Sequence, residues 1–91
     1  MNWLNFWRRM DDKIVKLRKE LDALDDKIAG LVAERVEIGR KIVKLKRESG
    51  FATDDFNREN EILKRLSTIS PADSKLLEDL YKRIFDWVKN Q

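Results

Sequence analysis

Cysteine and histidine are both absent from this chain of 91 residues. The absence of cysteine excludes disulfides and thiolate metal sites, and nothing in the sequence indicates an oxidising compartment. The absence of histidine removes the usual general base near neutral pH and the commonest nitrogen ligand for a metal ion. Any catalysis by this chain must therefore depend on charge and shape.

Long apolar runs are also missing. No stretch approaches the roughly 20 apolar residues that are needed to cross a bilayer. Residues 1–10 lack the apolar segment and the small-residue cleavage site of a signal peptide. We therefore expect a soluble, cytoplasmic protein that does not bind membranes.

Charge is abundant and mixed in sign, with 20 basic and 17 acidic residues and a net charge of +3. This balance favours anionic partners, but the basic residues are interleaved with acidic ones, so nucleic acid is not indicated. The chain contains three glycines and one proline, and 41% of its residues are charged. Such a composition is typical of long amphipathic helices, so we predict an all-α fold.

One very long helix is predicted by the apolar pattern between Asp11 and Glu48, where proline is absent and apolar residues recur at spacings of four and three. The series is Ile14, Leu17, Leu21, Leu24, Ile28, Leu31, Arg35, Ile38, Ile42 and Leu45. The same rhythm continues backwards through Met10, Trp7 and Trp3. We therefore predict a domain over residues 11–91, preceded by an N-terminal extension over residues 1–10 that can continue helix one.

The length of helix one predicts self-association. Thirty-eight helical residues would span about 57 Å, which is nearly twice the width of a small domain. The overhanging apolar stripe must be covered, and the same helix from a second copy, packed with two-fold symmetry, is the simplest candidate. The prediction is an intertwined helical homodimer with three helices in each chain.

The other two helices are predicted from their end signals. Helix one should end near Ser49-Gly50, because glycine readily adopts the left-handed conformation found after helices. Any residue of Thr53–Asp55 could cap a second helix that ends near Ile69. Ser70-Pro71 is typical of a cap and first turn and should open the third helix. The side chains predicted to face inward from helix two are Phe56, Ile62, Leu63 and Leu66.

Two cations and a glycine occupy unusual positions on helix one. Arg35 falls on the apolar stripe, where a charged side chain must either pair with a carboxylate or bind an anionic ligand. A structural ion pair is the simpler interpretation. Lys46 projects from nearly the same face, with its Cα roughly 16 Å away. Gly39 lies between them and indicates either room for a ligand or close helix packing.

At the start of helix two, Glu59 falls on the buried stripe, Arg58 flanks it, and Asp55 is placed to cap the helix. Acidic residues at a helix start also compensate the exposed N–H groups, and that explanation suffices for Asp55 and Glu59 taken alone. Considered with helix one, the pattern offers two arginines and a lysine to an anion, and a carboxylate to a hydroxyl.

A known family shows the same ordered segments. They are Leu17–Asp22, Leu24-Asp25, Leu31–Arg35, Lys44–Lys46 and Asp55–Glu59. In this order and spacing, the chain resembles the AroQ-type chorismate mutases from about residue 12 onwards. The resemblance implies conversion of chorismate to prephenate, in phenylalanine and tyrosine biosynthesis, by an intramolecular Claisen rearrangement. That reaction needs no cofactor, no metal and no covalent intermediate.

The resemblance also implies how the substrate carboxylates are bound. Arg35 and Arg18 should bind them, with Arg18 supplied by the partner subunit, and Arg58 should add positive charge nearby. The geometry agrees with a shared site, because Arg18 and Arg35 lie roughly 25 Å apart along one helix.

The remaining site residues are also assigned by resemblance. Lys46 should hydrogen-bond the ether oxygen, while Glu59 and the backbone at Asp55 should hold the ring hydroxyl, so that Lys46 and Glu59 are catalytic together with Arg35. Val88 aligns with a serine of the family. Gln91 falls one residue short of a glutamine or glutamate that makes a second contact to the ether oxygen, and it could serve there if the register shifts.

Two alternatives remain open. An isochorismate pyruvate-lyase would share the fold and a cationic pocket but would eliminate pyruvate. A non-enzymatic coiled-coil or helical-bundle adaptor would explain the length of helix one, but it would leave Arg35, Gly39 and Glu59 without a purpose.

Overall fold

The computed structural model of the chain describes residues 2–90, which form three α-helices and no strand. The chain divides into two compact units, Met1–Glu34 and Arg35–Gln91. Helix α1 spans Trp3–Glu48 and supplies residues to both units. It begins eight residues before Asp11, so most of residues 1–10 are helical. The all-α, three-helix prediction is confirmed.

The end of α1 is fixed by a glycine turn. Gly50 has a φ of 75°, which lies in the left-handed region that glycine adopts without strain. The N–H of Phe51 donates to the carbonyl of Lys46 at 2.8 Å, and the N–H of Gly50 donates to that of Arg47 at 3.3 Å. These two bonds form a Schellman motif, so the predicted stop at Ser49-Gly50 is confirmed.

Helix α2 spans Phe56–Ile69, and its N-cap is Asp55. The Oδ1 atom of Asp55 accepts a hydrogen bond from the N–H of Arg58 at 3.1 Å. This bond satisfies one of the free donors at the helix start. Asp55 is therefore the capping residue among the three candidates.

The third helix begins one turn later than its sequence predicts. Pro71–Asp73 form a short 3-10 turn, and helix α3 spans Ser74–Lys89. The Ser70 hydroxyl donates to Asp73 Oδ2 at 2.7 Å and makes no capping bond. Ser70 is the N-cap and Pro71 the first residue of this 3-10 turn, which leads directly into α3, so the predicted cap and proline positions are found but the first turn is 3-10 rather than α.

A small core lies in the second unit, and its buried side chains come from all three helices. They are Val43, Ile62, Ile84, Phe85 and Val88. Of the predicted inward residues of α2, Ile62 is buried and Leu63 and Leu66 are half-buried. Phe56 is 65% exposed, so its predicted burial is wrong. It is the first residue of α2, and its ring lies 5.3 Å from the Lys89 ammonium.

Helix α1 carries an exposed apolar stripe. Every member of the set is at least 40% exposed in the single chain: Trp3, Trp7, Met10, Ile14, Leu17, Leu21, Leu24, Ile28, Leu31, Ile38, Ile42 and Leu45. Contiguous exposed apolar surface of this extent marks an interaction surface. Among residues 2–90, no helix has both the length and the apolar character to span a membrane.

Candidate active site

A cavity of about 290 Å³ lies in the second unit, between the C-terminal part of α1, the start of α2 and the end of α3. This volume is at the lower end of the range for ligand sites, roughly 300–1,000 Å³. The residues that line the cavity are Arg35, Ile38, Gly39, Ile42, Thr53, Asp55, Arg58, Glu59, Ile62, Phe85, Val88 and Lys89. Three cations against two carboxylates give this wall a net charge of +1, which suits an anionic ligand.

Arg35 is held by aromatic rings rather than by a carboxylate. Its guanidinium carbon lies 5.2 Å from the ring centroid of Tyr81 and 5.4 Å from that of Phe85. Cation–π contacts of this kind position a guanidinium without neutralising its charge. Within residues 2–90 no carboxylate forms a salt bridge with Arg35, so the structural ion pair is not found there.

Gly39 allows α1 to approach α3 closely. A Cβ atom at Gly39 would lie 3.0 Å from Val88 Cγ1 and 3.3 Å from Val88 Cγ2. Val88 is buried and is β-branched, so it has little freedom to move. Close helix packing is therefore the correct interpretation of Gly39, although both residues also form part of the cavity wall.

Two glycines on α1 should respond oppositely to alanine. We expect Gly39→Ala to lower the free energy of unfolding by about 1 kcal/mol or more, because the new methyl group overpacks against Val88. Gly30→Ala is the matched control, since nothing lies within 4 Å of a Cβ at Gly30. It should stabilise the protein by about 0.5–1 kcal/mol through helix propensity. Urea unfolding at equal protein concentrations measures both, and equal stabilisation by both alanines would contradict the packing role of Gly39.

Glu59 faces the cavity and is paired with Lys89. The Lys89 Nζ atom lies 3.1 Å from Glu59 Oε2 and 3.5 Å from Glu59 Oε1, and it lies 2.9 Å from Asp54 Oδ1. These bonds, first the one to Asp54, raise the pKa of Lys89 above its ordinary value, while burial acts in the opposite direction. The ammonium therefore remains charged throughout the neutral range.

Lys46 lies beside the cavity rather than in its lining. Its Nζ atom is 3.6 Å from Asp55 Oδ2, and the lysine side chain is 27% exposed. The carboxylate of Asp55 thus caps α2 with one oxygen and pairs with Lys46 through the other. This arrangement connects the end of α1 to the start of α2 at the edge of the cavity.

Arg58 lines the cavity from the first turn of α2, but its guanidinium also pairs with Glu61 on the outer face. The Nη1 to Oε1 distance is 2.7 Å, and both side chains are more than half exposed. An exposed pair of this kind contributes little to stability. Arg58 can therefore exchange Glu61 for an anion in the cavity at low cost.

Besides Lys46, which lies beside the cavity, two predicted site residues are not placed in it by the structure. Arg18 belongs to the unit Met1–Glu34, whereas the cavity lies wholly in the second unit. Gln91 lies outside the residues that the structure describes. The structure brings together the other predicted residues, with Arg35, Asp55, Arg58, Glu59 and Val88 in the lining and Lys46 next to Asp55.

Lys89 is the site residue that sequence reasoning missed. It lies four residues after Phe85 and eight after Tyr81, and both of those side chains are at least partly buried. Lys89 thus occupies the inward face of α3, as Arg35 does on α1. A charge on an apolar stripe was the signal that identified Arg35, and it would have identified Lys89.

No cluster of three or more acidic side chains in the described part of the chain is arranged to hold a metal ion. The arrangement offers cations to an anion and one carboxylate to a hydrogen-bond donor.

Comparison with known proteins supports this description. The family model of chorismate mutase type II matches residues 17–91. The bifunctional chorismate mutase/prephenate dehydratase of Escherichia coli (strain K12) is 32% identical over 79 residues, which are 84% of this chain and 20% of that protein. The chorismate mutase of Methanocaldococcus jannaschii is 33% identical over 57 residues, which are 63% of this chain and 58% of that protein.

The intracellular chorismate mutase of Mycobacterium bovis is 36% identical over 72 residues, which are 79% of this chain and 68% of that protein. The chain spans only a fifth of the length of the E. coli relative. No solved structure gives a significant match to the chain. The family model covers residues 17–91, which include most of α1 and all of α2 and α3, and the chain belongs to the chorismate mutase type II family.

Proposed function

We propose that the chain catalyses the rearrangement of chorismate to prephenate, as an isomerase of phenylalanine and tyrosine biosynthesis. The observation that carries the proposal is the set of partners around the Arg35 guanidinium. Its guanidinium faces a cavity with a cationic wall and, within residues 2–90, has aromatic rings rather than a carboxylate as partners. A half-buried cation without a counter-ion is costly unless an anionic ligand compensates it.

In this proposal the site acts through electrostatics and restraint. Breaking the C–O bond leaves negative charge on the ether oxygen while the new C–C bond forms within the same molecule, so no proton transfer is required. A fixed ammonium stabilises that charge without reorganisation, and we assign this role to Lys46. The Lys46 ammonium lies 3.6 Å from Asp55 Oδ2, and in this role it exchanges that carboxylate for the ether oxygen.

The other residues bind and orient the substrate. We assign its carboxylates to Arg35 and Arg18 with Arg58 nearby, and its ring hydroxyl to Glu59 and the backbone at Asp55. Holding the flexible substrate in its compact reactive form contributes through orientation. Val88 would supply an apolar wall, and a contact from Gln91 to the ether oxygen is proposed on the alignment alone.

We propose an intertwined homodimer in which Arg18 acts in trans. The exposed stripe of α1 supports it, because Leu17, Leu21, Leu24, Ile28 and Leu31 are each more than 50% exposed in the single chain. A second copy of the same helix would cover them by two-fold pairing. We further propose a cytoplasmic location, with residues 11–91 as the catalytic domain and residues 1–10 as its extension.

The direct test is the ultraviolet loss of chorismate with the appearance of prephenate. Turnover of chorismate to prephenate is the expected result. A parallel incubation with isochorismate distinguishes the pyruvate-lyase of the same fold, because only that activity releases pyruvate. Inertness toward both substrates would instead support a non-enzymatic helical bundle.

The activity should vary little between about pH 6 and pH 8, because the chain contains no histidine. The pKa of Lys89 is raised above its ordinary value of 10.5, chiefly by its hydrogen bond to Asp54, so the Lys89 ammonium stays charged throughout this window. Measurement of kcat/KM across the window tests the expectation. A steep change within the window would contradict the expectation and show that an unidentified group of the site titrates there.

A further inference from the structure

The Lys89 ammonium joins three parts of the second unit. Lys89 lies at the end of α3, Glu59 lies in the first turn of α2, and Asp54 lies in the connection before α2. The side chains of Lys89 and Glu59 are only 16% and 20% exposed. By comparison, the side chains of the Lys46–Asp55 pair are 27% and 49% exposed, and those of the Arg58–Glu61 pair are 52% and 70% exposed. Partial burial strengthens such a pair because less water screens it.

We propose that Lys89 is a positioning residue, which fixes the Glu59 carboxylate in the orientation that receives the ring hydroxyl of the substrate. The inference rests on the proposed function of the cavity. Both oxygens of Glu59 lie within 3.5 Å of the Lys89 Nζ atom, so rotation of the carboxylate is restricted. A carboxylate that is held in place before the substrate arrives does not need to be ordered during the reaction.

Lys89 also offsets charge in the cavity. The ligand carries two negative charges, and the wall already contains the carboxylates of Asp55 and Glu59. Without Lys89, the wall would retain two cations and two carboxylates, and Glu59 would repel the incoming dianion. The raised pKa of Lys89 keeps this compensation in place at neutral pH.

The partners of Lys89 distinguish its role from that of Arg35. Within the described residues Arg35 has no carboxylate partner, so it is available to the ligand itself. The Lys89 ammonium binds the carboxylates of Asp54 and Glu59, which belong to different elements. It also makes a cation–π contact with the Phe56 ring, whose centroid is 5.3 Å away. The Lys89 ammonium is therefore occupied by partners within the protein. It acts on the substrate indirectly, through Glu59.

A double-mutant cycle with Glu59 tests this role. Lys89→Met should lower kcat/KM for chorismate at least about tenfold, because Glu59 loses a charge-assisted partner. In a Glu59→Gln background the same change should cost less than about threefold, because a neutral amide does not require the ammonium. Lys89→Arg, which restores a cation, should remain within about threefold of the wild type.

The matched control is Lys82→Met on the same helix, because Lys82 is exposed, does not line the cavity and pairs with Glu78 at 2.8 Å. It should leave kcat/KM unchanged.

An equal loss from Lys89→Met in both backgrounds would indicate a merely structural role and overturn the inference, as would no loss at all. If Lys89→Met does not fold, Lys89→Gln replaces it in the cycle. A wild-type chain that does not convert chorismate overturns the proposed function and this role together, whereas an active wild type with an unaffected Lys89→Met variant overturns only the role of Lys89.

Discussion

Two inactive variants, Arg18→Ala and Arg35→Ala, are expected to regain activity when they are combined in one dimer. Each variant alone should lose at least about 100-fold in kcat/KM, because each lacks one of the cations assigned to the substrate carboxylates. In a mixed dimer, one site receives Arg35 from the first chain and Arg18 from the second, and is complete. Random reassortment makes half of the molecules mixed, so roughly a quarter of the wild-type activity should return.

Co-expression of the two variants with different affinity tags, followed by isolation of the mixed dimer, measures the recovery directly. Because one of its two sites is complete, the isolated mixed dimer should show about half of the wild-type activity. The control is a mixture of Arg65→Ala and wild type, because Arg65 is exposed on α2 outside the cavity. Absence of recovery in the mixed dimer would show that Arg18 does not act in trans. A chain that sediments as a stable monomer would contradict the dimer itself.

Lys46→Ala is expected to lower turnover by about 100-fold or more while the dimer remains intact. The ammonium is the group assigned to the ether oxygen, where charge develops only as the C–O bond breaks, so its removal should reduce kcat more than it raises KM. Stability should change by less than about 1 kcal/mol, because the pair with Asp55 is partly exposed, at 27% and 49%.

The control for Lys46 is Lys44→Ala, which removes an exposed ammonium two residues away on the same helix. It should retain wild-type kcat. Steady-state kinetics of both variants test this prediction, and analytical ultracentrifugation verifies that the dimer is intact. A Lys46→Ala enzyme with a normal rate would remove Lys46 from the mechanism.

The helix ends were largely predictable because their causes are local. Gly50 ends α1 through its own left-handed conformation, and Asp55 caps α2 by accepting from an N–H three residues on. The third helix shows the limit of this approach. Its predicted cap and proline are present, but the Ser70 hydroxyl bonds to Asp73 instead of capping, and the first turn is 3-10.

The candidate site was predictable in part, because a charge on an apolar stripe is visible in the spacing of residues. Arg35 and Glu59 were identified in this way, and both line the cavity. The sequence did not show which partner each of these two side chains contacts. Lys89 satisfies the same spacing rule on α3, but only the packing of α3 against α2 shows that its ammonium reaches Glu59.

The sequence by itself determined the all-α class, the three helices, the inward position of Arg35 and, by resemblance, the family. These properties depend on periodicity and on contacts between residues a few positions apart. The tertiary structure decided that Val88 fills the space beside Gly39, that Lys46 pairs with Asp55 and that Lys89 holds Glu59. Each of these contacts joins different helices, and their distances depend on how the helices cross, which is set by the summed packing of many side chains rather than by any local pattern.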